Sequence, residues 1–257
     1  MLSLRVLLPR FFVGAMPFFW LAAQAGWATG PVISKDKILC IKGRGDLFAD
    51  FRVKLAPTRI RMIGKMGGSI WRQEKPDTVE QYNNENKVFV VQPVATYLGD
   101  VNQGFQTIPI EEVEGPVNIQ FMGRKAKRYL GFAKIPNQGR RSVAEFICID
   151  NNWLSPVTHR MWCRYLGLNK FDLGLPVAVI QNRAKVIGVK NNVAQFGGLV
   201  RVAVLNCDSI SELPANSETF SLPVSWKCGK DKAAMMFSTN GELKATDLDD
   251  LFRSHLK

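Results

Sequence analysis

His159 and Cys163 are the side chains whose type and spacing point most directly to chemistry. Four residues apart, they would fall on one face of a helix and could share a metal ion. A tetrahedral site needs two more ligands, and the only other histidine is His255. The five cysteines, Cys40, Cys148, Cys163, Cys207 and Cys228, include no CxxC pair, so neither a structural zinc nor a thioredoxin-like centre is expected. GxSxG, HExxH, P-loop and dinucleotide-glycine motifs are also missing from the sequence. The chain therefore reads as non-enzymatic, with no metal or cofactor.

A different chemistry is offered by Gly123-Arg-Lys-Ala-Lys-Arg128, the most basic short run after the first thirty residues. Placed at a hairpin tip, Arg124, Lys125, Lys127 and Arg128 form a candidate contact for an anionic surface. The whole chain carries a formal charge of +12. That balance favours lipid headgroups, acidic envelope polymers or an acidic protein as partners, and nucleic acid is not expected.

The first residues set the compartment. Arg5 and Arg10 precede the apolar run Phe11 to Ala23, and Ala23-Gln24-Ala25 offers small residues for cleavage, so residues 1–25 read as a signal peptide. Pro17 and the shortness of the run argue against a membrane-spanning anchor, which needs about 20 apolar residues. Removing this leader takes away Arg5 and Arg10 and no acid, leaving +10 on a protein expected in the periplasm or cell envelope. In an oxidising compartment Cys207 and Cys228 are the first candidates for a disulfide, and the odd number of cysteines leaves at least one unpaired.

These residues need elements to hold them, and the elements read as β. Short β-prone runs are punctuated by Met66-Gly67-Gly68 and Asn83-Asn84-Glu85-Asn86, turn chemistry that defines a meander between Thr58 and Pro93. Val88-Phe89-Val90-Val91 is apolar on both faces, as a strand would be that is covered on both sides or lines a cavity with one face. Residues 96–116 lack a sustained period and read as a long connection with room for one helical turn. One helix interrupts the later strands over about 156–166: Ser155 is its cap, Pro156 its first residue and Gly167 its stop. Its apolar face is Val157, Met161, Trp162, Tyr165 and Leu166, and its polar face carries His159, Arg160, Cys163 and Arg164. Residues 31–245 form one mainly β domain, and residues 246–257 an amphipathic helix with Leu248, Leu251, Phe252 and Leu256 on one side.

The hairpins from Arg61 to Pro93, the passage from Ala144 through a helix to the return strand at Gly174-Leu-Pro-Val177, and the closing Phe220-Ser-Leu-Pro223 together resemble the lipoprotein-carrier superfamily. That resemblance implies an antiparallel curved sheet, an unclosed half-barrel covered by one or two short helices, whose concave face shelters an acyl chain or other apolar ligand. It implies that Met62, Trp71, Phe89, Phe121 and Phe132 line the hollow, with Met161 and Trp162 on the lid. Each of the seven reads more readily as ordinary core than as a ligand contact, since buried aromatics are common in any sheet. The expectation is an exported binding protein for a lipid-like ligand, visiting anionic membranes or an envelope protein. The alternative is an envelope scaffold whose basic surface or C-terminal helix makes the contact.

Overall fold

Alternating apolar and charged residues, broken by glycine and asparagine turns, build the first half of the chain as a run of strands. The computed structural model describes residues 37–236 except 47–48, 102–104, 137, 171, 191–192 and 216; the leader and the C-terminal helix expected at 246–257 lie outside the described residues. In chain order the elements are β1 (Lys37–Gly45), β2 (Ala49–Ala56), β3 (Arg59–Gly64), β4 (Gly67–Arg72), β5 (Thr78–Asn83) and β6 (Val88–Pro93). Then come α1 (Val94–Val101), β7 (Phe105–Thr107), β8 (Glu112–Phe121), β9 (Arg124–Ile135), β10 (Gly139–Ile149) and α2 (Pro156–Tyr165). The chain continues with β11 (Leu175–Lys190), β12 (Val193–Pro214), a 3-10 turn at Ser217–Phe220, β13 (Lys227–Cys228) and α3 (Ala233–Met236).

All the strands join one sheet in the order β13-β6-β5-β4-β3-β2-β1-β12-β11-β10-β9-β8, with β7 beside β11. Every pairing is antiparallel except β13 with β6. The chain thus has the mainly β, unclosed architecture expected from sequence, with short helices against it. The two longest strands make the join: the first part of β12 pairs with β11 and its last part with β1. A bulge between Lys42 and Gly43 marks the turn in that ladder. Gly43 is required there, because a Cβ would sit 2.3 Å from the Asn206 carbonyl oxygen.

One face of the sheet carries the core. Leu39, Ile41, Val53, Leu55, Ile60, Met62, Trp71 and Val79 pack with Phe146, Val177, Val179, Val202 and Val204, and α1 and α2 add Val94, Tyr97, Met161, Trp162 and Tyr165. The cap of α2 is the expected one: Ser155 accepts from the Thr158 N–H at 3.1 Å, and Pro156 opens the helix. Its buried face is wider than the apolar stripe read from sequence. Thr158, His159 and Cys163 are buried, while Val157 is 37% exposed. The inner row of β11 runs Leu175, Val177, Val179, Gln181, Arg183, all buried. The last two serve the C-terminus of α2: Gln181 donates to the Leu166 and Gly167 carbonyls at 3.1 and 3.3 Å, and Arg183 to Leu166 at 3.4 Å and to the Gln181 amide oxygen at 2.7 Å. A cation suits a helix C-terminus, although burial lowers the Arg183 pKa to about 10.

Three local readings are corrected. The stretch 96–116 is not a simple connection, since α1, β7 and the start of β8 fall within it. β6 is not covered on both faces: Val90 and Gln92 are buried, while Val91 is 52% exposed. Of the two readings open for Phe220-Ser-Leu-Pro223, a short strand or an extended segment, the strand is not formed: Phe220 ends the 3-10 turn and 221–223 belong to no strand. The chain after β12 instead lies over the outer face of β3–β5, where Arg61 donates to the Thr219 carbonyl at 2.7 Å, Arg72 to that of Phe220 at 2.8 Å, and Trp226 meets Tyr82 edge-on with centroids 5.6 Å apart. This crossing segment accounts for the burial of Ile70 and Tyr82 on the face away from the main core.

A candidate ligand cleft at the end of the sheet

The seven residues expected to line a hollow do not converge on one. Met62, Trp71, Met161 and Trp162 belong to the apolar cluster of the inner face. Both indole N–H groups are satisfied within it or at its edge, Trp71 by the Pro76 carbonyl at 3.0 Å and Trp162 by the Pro176 carbonyl at 2.9 Å. Phe89 lies directly across from Tyr82, on the outer face. Phe132 is covered by the Arg140 guanidinium, 3.7 Å from the ring centroid, and Phe121 is half-buried at the end of β8. The inner face at these positions is filled by the chain's own side chains.

An open cleft of about 740 Å3 lies beyond that filling. Strand β8 contributes Asn118, Ile119 and Gln120; β9 contributes Lys125, Ala126, Lys127 and Tyr129; β10 and its exit turn contribute Cys148, Ile149, Asp150 and Asn151; the loop before β11 contributes Asp172, Leu173 and Gly174. Register places Asn118 directly across from Lys127, and Gln120 across from Lys125. Amides and ammonium groups therefore lie side by side on the β8–β9 hairpin. Ile119, Ala126, Tyr129, Cys148, Ile149 and Leu173 provide apolar surface.

Close backbone packing shapes these walls. Gly115, at φ +118°, lets β8 lie over Tyr129, for a Cβ there would come within 2.9 Å of the Arg128 carbonyl oxygen and 3.2 Å of the Tyr129 ring. Tyr129 stacks on Phe146 with centroids 5.5 Å apart. Its pKa is raised, first by burial and then by Cys148 and Asp172, and burial pushes the Cys148 thiol far above its ordinary value. Both groups are neutral at physiological pH, so the cleft offers a hydroxyl and an inert thiol rather than a nucleophile. The Asp150 carboxylate accepts from the backbone and side-chain amides of Asn152 at 3.3 and 2.9 Å.

His159 and Cys163 are brought together as their spacing demands, with Cys163 Sγ 3.7 Å from His159 Nε2. They are buried, and the same nitrogen donates to the Gly174 carbonyl at 2.8 Å. The pair therefore anchors the loop that borders the cleft. Among the described residues no three potential ligands cluster.

The basic run is split. Its residues belong to β9 itself, and the hairpin tip is Met122-Gly123. Lys125 and Lys127 line the cleft. Arg124 instead pairs with Glu212 at 3.0 Å, a carboxylate shared with Lys37, and Arg128 stands 3.9 Å from Glu145. The expected disulfide is also corrected. All five cysteines are free thiols, and Cys207 on β12 is separated from Cys228 on β13 by six strands of the sheet order. Asn118, Gln120, Tyr129, Asp150 and Asp172 were not legible as site residues, because only register and the fold of the 172–174 loop gather them.

Fold and cleft together define a mainly β protein with an open sheet and a polar-rimmed apolar site at one end. No family model matches the chain, and no curated protein matches it. Among solved structures it is similar to an uncharacterized conserved protein from Thermus thermophilus, with a TM-score of 0.39 and 8% identity over 76% of this chain and 90% of that one. A likeness of that size carries no argument about function.

Proposed function

We propose that the protein is a non-enzymatic binding protein for an amphipathic anion, an acyl chain or other apolar body with an anionic head, held in the cleft at the end of the sheet. The observation that carries this is the pairing of apolar surface with Lys125 and Lys127 in one open cleft of about 740 Å3. That volume lies within the range of small-molecule sites, about 300–1,000 Å3. The apolar body would rest on Tyr129, Cys148 and Leu173, and the head would meet the two ammonium groups, with Asn118 and Gln120 beside them. The Lys127 side chain makes no hydrogen bond or ion pair among the described residues, which favours its availability to a ligand.

This reading keeps the lipid-like ligand and the carrier-like role that the sequence resemblance implies, and moves the ligand from the concave face to the end of the sheet. The same proposal has the protein act in the cell envelope after loss of residues 1–25, supported by the basic and apolar leader. Amino-terminal sequencing of protein recovered from an envelope fraction tests the export; a start at residue 1 overturns it. For binding, the test is titration calorimetry with dodecanoate, dodecanol and dodecyltrimethylammonium. Dodecanoate is expected to bind best, and Lys127→Glu to weaken it at least about tenfold, about 1.4 kcal/mol. Equal affinity for the neutral alcohol, or none for dodecanoate, overturns the reading.

A further inference from the structure

The outer face of β1–β3 carries a second basic feature, independent of the cleft. Cross-strand register sets Lys42 directly opposite Arg52, and Lys54 directly opposite Arg61. Like charges facing each other across a ladder are destabilising. Residues two apart on a strand share a face, so Arg52 and Lys54 link the two pairs into one staircase, Lys42, Arg52, Lys54, Arg61, across three adjacent strands. With two cross-strand steps of about 5 Å and one step along the strand of about 6.6 Å at right angles to them, the ends of the staircase lie roughly 12 Å apart.

The chain neutralises its neighbours and leaves these four. At one end Arg44 pairs with Asp208 at 3.6 Å; at the other Arg59 pairs with Glu74 at 3.0 Å, and Arg72 pairs with Glu80. Lys42, Arg52, Lys54 and Arg61 have no carboxylate partner among the described residues. Arg61 donates only to the uncharged Tyr82 hydroxyl and Thr219 carbonyl, at 3.2 and 2.7 Å. Lys42 and Arg52 are exposed.

We propose that this staircase binds a linear acidic polysaccharide. Lys42, Arg52 and Lys54, spread along the face rather than converging on a point, suit an extended polyanion better than a single phosphate, while Arg61 is held at the covered end by the Thr219 carbonyl and the Tyr82 ring. Ser209 lies directly across from Lys42, and both it and Ser211 are exposed, which adds hydroxyl groups able to pair with sugar hydroxyls. No large apolar side chain is exposed on β1–β3 among the described residues, so nothing there would enter a bilayer. Nor is any aromatic exposed on those strands for stacking of nucleobases.

The test uses the full chain and a size-defined heparin oligosaccharide, with affinity measured over a salt series. Lys42→Ala/Arg52→Ala/Lys54→Ala is expected to bind at least about tenfold more weakly and with a shallower dependence on salt. The control Lys65→Ala/Lys75→Ala/Lys134→Ala removes the same net charge from other exposed sites and is expected to change affinity by less than about threefold. Circular dichroism of both variants establishes that they are folded. Equal losses in the two variants would reduce the effect to net charge and overturn the proposal. Tighter binding of phosphatidylglycerol vesicles or single-stranded DNA than of heparin would overturn it as well.

Discussion

Replacing Trp162 by phenylalanine separates a core role from a ligand-contacting one. Trp162 is 1% exposed, its N–H donates to the Pro176 carbonyl at 2.9 Å, and its ring lies 6.4 Å from that of Tyr165. Phenylalanine keeps one ring and loses the donor, leaving a buried carbonyl whose lost partner costs about 1–3 kcal/mol. The smaller side chain also leaves a void whose cost is about 1 kcal/mol. The expected destabilisation is thus about 2–4 kcal/mol, a fall in Tm of about 4–16 °C for a domain of this size. Urea unfolding with an unchanged m-value measures it. Because Trp162 does not line the cleft, dodecanoate affinity measured well below the Tm should stay within about twofold of the parent. A stability loss below about 1 kcal/mol, or a tenfold loss of affinity in folded protein, would refute this reasoning and return Trp162 to the role of a ligand contact.

Brief alkylation of the native protein at pH 8 should label Cys228 alone, since the other four thiols are buried, with mass spectrometry after denaturation showing the rest protected. Alkaline pH should destabilise the fold. Burial holds the Cys163 thiol up to about 12 against 9.0, and the Tyr97 hydroxyl up to about 12 against 10.0, so the native chain keeps protons that the unfolded chain releases. Their contribution is complete below pH 9, and is lost as pH rises towards 12 at about 1.4 kcal/mol per unit for each group; a Tm constant from pH 9 to 11 would contradict this. Gly174→Ala places a side chain at φ +99° with its Cβ 2.7 Å from the Ile149 carbonyl oxygen, so a loss of about 1–3 kcal/mol is expected on urea unfolding, together with weaker dodecanoate binding as the cleft loop shifts. Arg52→Glu sets a carboxylate opposite Lys42 and should raise Tm while weakening heparin binding; a fall in Tm would argue against the facing of like charges.

What was legible in the sequence was local. Ser155, Pro156 and Gly167 fixed the ends of α2, because caps and stops depend on a few neighbouring residues. Alternation and turn residues likewise marked β3 to β5 within the meander from Thr58 to Pro93. What was not legible depended on register and on pairing between distant segments. Arg124, Lys125, Lys127 and Arg128 look like one patch when read in a line. In a strand they divide, and Arg124 finds a carboxylate 88 residues away at Glu212 while Lys125 and Lys127 reach the cleft. The Lys42–Arg52 pair is similarly invisible until β1 and β2 are aligned. Val157 and His159 exchanged their expected environments because α2 is held by a polar contact to the Gly174 loop as well as by its apolar stripe. Phe89 was misplaced by its neighbours' hydrophobicity, which gave no sign that the segment carrying Trp226 would cross the opposite face.

The position of the cleft follows from a mismatch of lengths. Helix α2 has 10 residues and strand β9 has 12. At rises of about 1.5 and 3.3 Å per residue the helix is roughly 15 Å long and the strand roughly 40 Å. A helix that short cannot cover the whole inner face of such strands. Where α2 and its loops do cover, Trp162, Met161 and Tyr165 meet Trp71 and its neighbours and leave no hollow. Where they stop, the β8–β9 hairpin runs on, and its exposed end has to be compatible with water, which is why Lys125, Lys127, Asn118 and Gln120 occur there beside Ile119 and Tyr129. Polar residues among apolar ones are thus the natural consequence of a strand outrunning its cover. What favours a ligand over mere solvation is the concave shape, which the loop at Asp172-Leu173-Gly174 completes through the His159 contact. Loosening that contact should therefore affect binding in the cleft before it affects the packing of the inner face.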